Sequence, residues 1–176
     1  MSGLFLAALP DAPAAARIYS LAEVVKQARQ FDGEPIEPGR LHITLFFLGD
    51  GSGARERILR MACEAAQEVR MSSFDVSFDR IASFRGGLDR HPFVLLGGAG
   101  LSRLKQFRQA LGAAMTRHGL RRRVTADFNP HVTLLYDRRK VEEQPIEPIG
   151  WTVGEFVLVH SLHGHSHLAR WPLGVE

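Results

Sequence analysis

The sequence has little cysteine and no long hydrophobic run. Its 176 residues include one cysteine, Cys63, which excludes an internal disulfide and a cysteine-based zinc site and which we expect to be a small core residue. No apolar run approaches the ~20 residues of a membrane-spanning helix. The apolar residues 4–9 lack the basic leader of a signal peptide. By elimination we expect a soluble, cytoplasmic protein that does not act on membranes.

Lysine is also scarce: three of the 22 basic residues are lysines, which leaves 19 arginines against 19 acidic residues. Arginine binds phosphate through paired hydrogen bonds, but a GC-rich coding sequence would enrich arginine equally. Composition therefore permits a phosphate-bearing partner without identifying one. Hydrophobic residues at 45% and charged residues at 23% exclude a disordered chain, a collagen and a coiled coil.

Hydrophobic periodicity predicts an α+β protein. Each half of the chain, about 1–88 and 89–176, contains a strand, a helix, a second strand and a later strand, so we expect one bilobal domain over residues 1–176. The predicted helices cover residues 12–31, 54–70 and the segment from about Leu101 to Gly119. The predicted strands cover residues 3–10, 41–48, 74–78, 93–96, 131–136 and 152–162. Residues 141–148 contain two prolines and are too short to form a second-half counterpart of the helix at 54–70.

Two predicted strands carry the same tetrapeptide. His42-Ile-Thr44-Leu lies in the first half and His131-Val-Thr133-Leu in the second, 89 residues further on. Side chains at i and i+2 of a strand point to the same face, so each strand presents an imidazole beside a hydroxyl. If the two halves pack about a pseudo-twofold axis, the four groups converge on one cleft.

Paired histidines in a cleft favour acid–base chemistry. The ordinary imidazole pKa of about 6.5 allows one ring to be protonated and the other neutral near pH 7. Threonine hydroxyls can donate to phosphate oxygens on which charge builds in the transition state. A lone histidine on a strand is more often structural, but the repetition of the motif favours catalysis.

The paired motifs resemble those of the 2H phosphoesterase superfamily, and the chain is most similar to its LigT-like RNA 2′,3′-cyclic phosphodiesterases, also called 2′-5′ RNA ligases. The resemblance extends over nearly the whole chain. It includes Leu4-Phe-Leu-Ala, the Phe-Leu-Gly49 ending of the first motif strand, Phe128-x-Pro before His131, and the closing Trp171-Pro-Leu.

This resemblance implies a bilobal pseudo-twofold α+β fold, with two antiparallel sheets lining a central cleft and helices on the outside. It implies metal-independent hydrolysis of 2′,3′-cyclic phosphate ends of RNA or nucleotides, without a cofactor, to give a 2′-phosphate. His42 would be the proton donor, His131 the proton acceptor, and Thr44 and Thr133 would bind the phosphate. We expect a monomer.

The chain departs from the family pattern in two places. Many relatives have a basic residue after the second motif, where this chain has Tyr136; Arg138, Arg139 or a loop arginine could supply the missing phosphate contact. Near the C-terminus, relatives often read Gly-x-x-Tyr, where this chain has Gly164-His-Ser-His167.

Several other side chains are possible substrate contacts. Phe46 shares the face of His42 under strict alternation, and it either stacks on a base or packs in the core. Tyr136, Arg40 and Arg138 are further candidates, and Arg85 is a weaker one of the same kind. The basic runs 121–123 and 138–140 either follow an RNA backbone or are solvated.

The histidines at 160, 163, 165 and 167 form a dense cluster. A metal site, a rim of the substrate cleft and a solvated turn are all possible there. Gly164 and Ser166, and the lack of accompanying carboxylates or cysteines, favour the turn.

Two other functions remain open. The chain could be a non-catalytic RNA-binding module of the same fold, against which the intact histidines and threonines argue. It could also be a related enzyme acting on 2′-5′ linkages or on another cyclic phosphodiester.

Overall fold

A computed structural model describes residues 3–50, 55–87, 90–125, 127–161 and 164–174. The described part contains three α-helices and eight β-strands, which confirms the α+β prediction. The helices are α1 (Ala12–Arg29), α2 (Arg55–Glu68) and α3 (Ser102–Arg117). The strands are β1 (Gly3–Ala8), β2 (Ile43–Gly49), β3 (Phe74–Ser83), β4 (His91–Leu96), β5 (His131–Asp137), β6 (Gln144–Val153), β7 (Glu155–Ser161) and β8 (His165–Pro172).

The strands pair antiparallel in the order β6-β3-β4-β5-β2-β1-β7-β8. The two groups of four strands, which the resemblance implies are separate sheets, are joined at β2 and β5 into one sheet. Among the described residues, the one pair Ile43 with Val132 makes this junction. Each group contains one histidine–threonine motif next to the junction, so the junction determines where the site lies.

All three helices contribute to one hydrophobic core. α1 begins after Asp11, whose carboxylate accepts a hydrogen bond from the Ala14 N–H (2.8 Å), as expected of a capping residue. Buried faces of the helices pack with the inward residues of both strand groups, among them Ile18 of α1 and Phe107 of α3. None of the described helices is long and apolar enough to cross a membrane.

The strands near the C-terminus differ from the prediction in two ways. The strand predicted over residues 152–162 is divided at Gly154: its first residues end β6 and the rest, as far as it is described, form β7. β6 also includes Pro145 and Pro148, in a segment where a helix was excluded and no strand was predicted. β6 lies at the edge of the sheet, where a proline removes no required ladder hydrogen bond.

Asp137 anchors the loop between α1 and β2 to the end of β5. Its buried carboxylate accepts hydrogen bonds from the N–H groups of Asp32 (2.6 Å), Gly33 (2.9 Å) and Arg139 (2.8 Å). A Cβ at Gly33 would lie 1.9 Å from the Tyr136 carbonyl oxygen, so only glycine fits there. Burial raises the pKa of Asp137, but the three N–H donors outweigh burial and the net pKa is lowered.

We expect Asp137→Asn to lower the free energy of unfolding at pH 7 by about 1–3 kcal/mol, because an amide cannot accept all three hydrogen bonds. Since the folded pKa of Asp137 is lowered, its contribution is complete above the ordinary carboxyl pKa and is lost as the pH falls through the folded value, below about pH 4. Urea unfolding at pH 7 and at decreasing pH below 4 tests this: the two proteins should differ at pH 7, and the difference should shrink as the pH falls. Asp79→Asn, at an exposed carboxylate, is the control, and an equal loss there would contradict the prediction.

Candidate active site

Both histidine–threonine motifs line one cleft of about 670 Å³. His42 immediately precedes β2 and Thr44 lies near its start, and His131 and Thr133 lie at the start of β5. β1, β4, β7, β8 and the loops before β2 and β4 supply the remaining walls. A second hollow of about 370 Å³, between α1 and β6, has no histidine among its lining residues in the described part of the chain.

The strand junction determines how the motifs face each other. Ile43 pairs with Val132 in antiparallel register. Antiparallel neighbours run in opposite directions, so His42 is on the side of Thr133 and Thr44 is on the side of His131. Each imidazole is therefore beside the hydroxyl of the other motif, as a pseudo-twofold axis through the junction requires.

The two imidazoles have the same hydrogen-bonded orientation. Nδ1 of His42 lies 2.8 Å from the carbonyl oxygen of Arg40, and Nδ1 of His131 lies 2.8 Å from that of Asn129. A carbonyl oxygen only accepts, so Nδ1 carries the proton in both rings. Nε2 is then the nitrogen of each ring that gains or loses a proton toward the cleft, as acid–base catalysis requires.

The rings differ in their surroundings. Phe5 stacks on His42 (centroids 4.8 Å apart, planes 28° apart), and His165 meets the His42 ring edge-on at 5.0 Å. The His131 ring meets Phe84 edge-on at 4.9 Å. The pKa of His42 is lowered, mainly by burial. The hydrogen bond to the Arg40 carbonyl opposes this, and the charges of His131 and Arg40 lower the pKa further.

A bulge follows the threonine in each motif strand. Thr44 and Phe46 pair with consecutive residues of β1, so Leu45 is an extra residue in β2. Thr133 and Leu135 likewise pair with consecutive residues of β4, so Leu134 is an extra residue in β5. An extra residue reverses the alternation of faces beyond it.

The bulges change which aromatic residues reach the cleft. Phe46 is 2% exposed and lies 4.4 Å from the Arg108 guanidinium, so of its two predicted alternatives core packing is confirmed and the possible substrate contact was wrong. Phe47 is 50% exposed and lines the cleft instead. Tyr136, which also lines the cleft, is five residues after His131, as Phe47 is five after His42.

In the described part of the chain, three arginines line the cleft: Arg40, Arg85 and Arg90. The guanidinium of Arg90 is 4.5 Å from the ring centroid of Tyr136. Gly86, next to Arg85, donates its N–H to Nδ1 of His91 (3.1 Å), and a Cβ at Gly86 would lie 2.1 Å from the Arg90 carbonyl oxygen. This tight turn brings two of the arginines to the cleft.

Other basic groups predicted as contacts lie elsewhere. Arg138 is outside the cleft lining and pairs with Asp32 (3.2 Å), so the structure does not place this possible substrate contact in the cleft. Residues 121–123 form a short 3₁₀ turn, and Arg123 lines a small separate hollow near Gly49.

The histidine cluster is dispersed. His160 is buried and bonds Arg55 (3.2 Å), and His167 bonds Arg170 (2.7 Å). His165 lines the cleft, in a strand rather than the predicted solvated turn. His163 lies outside the described residues. Within the described ranges, no group of three histidine, cysteine or acidic residues could hold a metal ion.

Sequence reasoning missed Phe47 and Arg90, and it left His165 unassigned. The signal for Phe47 was the equal spacing of Phe47 and Tyr136 from their motif histidines. Arg90 had no local signal, because its place depends on the turn at Gly86 and on the pairing of β4 with β5.

The chain is similar to known proteins over most of its length. The family model described as the 2′-5′ RNA ligase superfamily matches residues 10–165. The RNA 2′,3′-cyclic phosphodiesterase of Escherichia coli (strain K12) is 30% identical over 149 residues, which are 80% of this chain and 80% of that protein. A solved structure from Thermus thermophilus matches with a TM-score of 0.74 at 22% identity over 100% of both chains, which shows the fold alone. E. coli LigT complexed with phosphate matches with a TM-score of 0.66 at 26% identity, over 98% of this chain and 97% of that one.

Proposed function

Because the chain belongs to the 2′-5′ RNA ligase superfamily, we propose that it hydrolyses 2′,3′-cyclic phosphates at the ends of RNA or nucleotides and leaves a 2′-phosphate. The observation that carries this proposal is the pair of imidazoles that turn Nε2 toward one cleft, each beside a threonine of the other motif. The E. coli relative named as an RNA 2′,3′-cyclic phosphodiesterase supports it.

In the proposed reaction, Nε2 of neutral His131 removes a proton from water as the water oxygen attacks phosphorus. The bond from phosphorus to O3′ breaks, and protonated His42 gives its Nε2 proton to O3′. Thr44 and Thr133 donate hydrogen bonds to the phosphate oxygens that gain charge. The lowered pKa of His42 makes its protonated form a stronger acid, and the bound anionic phosphate favours that protonated form.

The test is turnover of 2′,3′-cyclic AMP and of an oligoribonucleotide with a cyclic end, in the presence of EDTA. We expect the cyclic phosphate to open to a 2′-phosphate and the activity to survive chelation. Loss of activity with EDTA would overturn the metal-independent mechanism. RNA binding without turnover would favour the non-catalytic module, and cleavage of 2′-5′ linkages alone would favour the other enzyme.

Many relatives have a basic residue at the position of Tyr136. Arg90 is the best-placed cation to supply the missing charge, because it lines the cleft and lies over the Tyr136 ring. We expect Arg90→Ala to raise KM for 2′,3′-cyclic AMP about 10-fold, as for a lost hydrogen bond to a charged group. Arg90→Lys should recover only part of the loss, because lysine lacks the planar fork.

Arg138→Ala is the matched control, because Arg138 is an arginine near the same strand but outside the cleft lining. Steady-state kinetics of the three variants provide the measurement. Equal effects of Arg90→Ala and Arg138→Ala would indicate a general loss of positive charge and would contradict a specific contact by Arg90.

A further inference from the structure

His165 is a third histidine of the cleft, and the reaction scheme gives it no role. It begins β8 opposite Ser161 of β7, and its ring meets His42 edge-on at 5.0 Å and Phe5 at 5.6 Å. These contacts fix its ring next to the proposed proton donor.

The Nδ1 atom of His165 is buried without a hydrogen-bond partner among the described residues. Buried polar atoms in native proteins almost always have partners, so this unpaired nitrogen is not explained by stability. An unpaired buried N–H is rarer than an unpaired acceptor, which places the proton of the neutral ring on Nε2. His165 is then the opposite tautomer to His42 and His131, and it has an N–H to offer the cleft.

The surroundings of His165 disfavour its protonation. Burial is the main cause, and the charges of His42, Arg40 and His167 add to it; together they lower the pKa of His165 to about 4. The ring therefore stays neutral over the pH range in which the His42–His131 pair works. A neutral imidazole can donate a hydrogen bond to an anion without competing with His42 to transfer a proton.

We propose that His165 is a further catalytic residue, a neutral donor whose Nε2–H bonds a non-bridging oxygen of the substrate phosphate. This rests on the proposed function, because it assumes that a phosphate is bound between the two motif strands. It goes beyond the paired-histidine mechanism by giving the cleft a donor contributed by β8, on the opposite side of β1 from the junction.

The test is His165→Phe, which keeps an aromatic ring against Phe5 and His42 but has no N–H. We expect kcat/KM for 2′,3′-cyclic AMP to fall about 10- to 100-fold, as for the loss of a hydrogen bond to a charged group. The pKa values in the pH–rate profile should stay unchanged, and the melting temperature should not fall, since the unpaired Nδ1 is removed as well. His167→Phe, two residues along β8 and outside the cleft lining, should stay within about twofold of wild type.

Each other outcome overturns the proposal. Full activity of His165→Phe would show that the N–H is not used. A loss of activity accompanied by shifted pKa values would show that His165 acts through His42 rather than on substrate.

A second measurement needs no turnover. Imidazole ¹⁵N NMR at pH 6–7 should show His165 as the neutral Nε2–H form, and added inorganic phosphate should shift its Nε2 resonance. A protonated ring, an Nδ1–H form or an unmoved resonance would overturn the proposal for His165 even in an active enzyme. If the protein showed the expected NMR result but no turnover, the proposed hydrolysis would be wrong while the phosphate contact of His165 would stand.

Discussion

Replacing His42 or His131 with alanine should lower kcat for 2′,3′-cyclic AMP by about 10²–10⁴-fold, the usual contribution of a general acid or base. Nδ1 of each ring is held by a carbonyl oxygen, and Nε2 is the only ring nitrogen left to exchange a proton in the cleft. Alanine removes that nitrogen. Steady-state kinetics on the folded variants, checked by circular dichroism, provide the measurement.

His118→Ala is the matched control, because His118 is held by Glu64 and Glu68 between α2 and α3, away from the cleft. It should leave kcat unchanged. If both motif variants kept wild-type kcat, the paired-histidine mechanism would be wrong.

An aryl phosphodiester separates the two roles. Its phenolate leaves without needing a proton, so a variant lacking only the general acid should recover on this substrate. With His42 as the donor, His42→Ala should recover and His131→Ala should stay impaired. The reverse pattern would exchange the two assignments, which are hard to distinguish from sequence because the motifs are nearly symmetric.

The sequence predicted the centre of the cleft well because that part depends on local geometry. Because every second side chain of a strand points to the same face, each histidine shares a face with its threonine, and the four side chains do line one cleft. The next positions were harder to predict. The run from Leu45 to Leu48 is apolar throughout, so nothing local shows where alternation reverses; the bulge becomes visible only in the pairing of β2 with β1.

The same distinction holds for the fold. The helices and the early strands follow from local periodicity and from the Asp11 cap. The extent of β6 depends on its place at the sheet edge, because an edge strand tolerates its two prolines. The strand order is also non-local, since β7 and β8, from the end of the chain, join the group of β1 and β2. Because β8 lies in the same strand group as β2, His165 comes to lie next to His42.

The second large effect is expected at the two threonines. Thr44→Val and Thr133→Val should each reduce kcat/KM for 2′,3′-cyclic AMP roughly 5- to 150-fold, which corresponds to a loss of about 1–3 kcal/mol of transition-state stabilisation. Valine keeps the shape and the β-branch that suit a strand, so the variants lose the hydroxyl rather than the fold. Thr44→Ser and Thr133→Ser keep a hydroxyl and should retain most of the activity. A serine variant as impaired as its valine counterpart would show that the methyl group, and not the hydrogen bond, matters.

The way in which the loss divides between kcat and KM tests the proposed role more sharply. If the hydroxyls bind phosphate oxygens whose charge grows in the transition state, the lost interaction is stronger there than in the bound substrate, so kcat must fall and the loss cannot appear in KM alone. A rise in KM with unchanged kcat would make the threonines simple substrate-binding groups. Thr44 is beside His131 and Thr133 beside His42, so each should act on its own side of the phosphate. If the two hydroxyls hold different oxygens, the free-energy losses in the double valine variant should add, whereas a double variant no worse than either single one would mean that both serve the same oxygen.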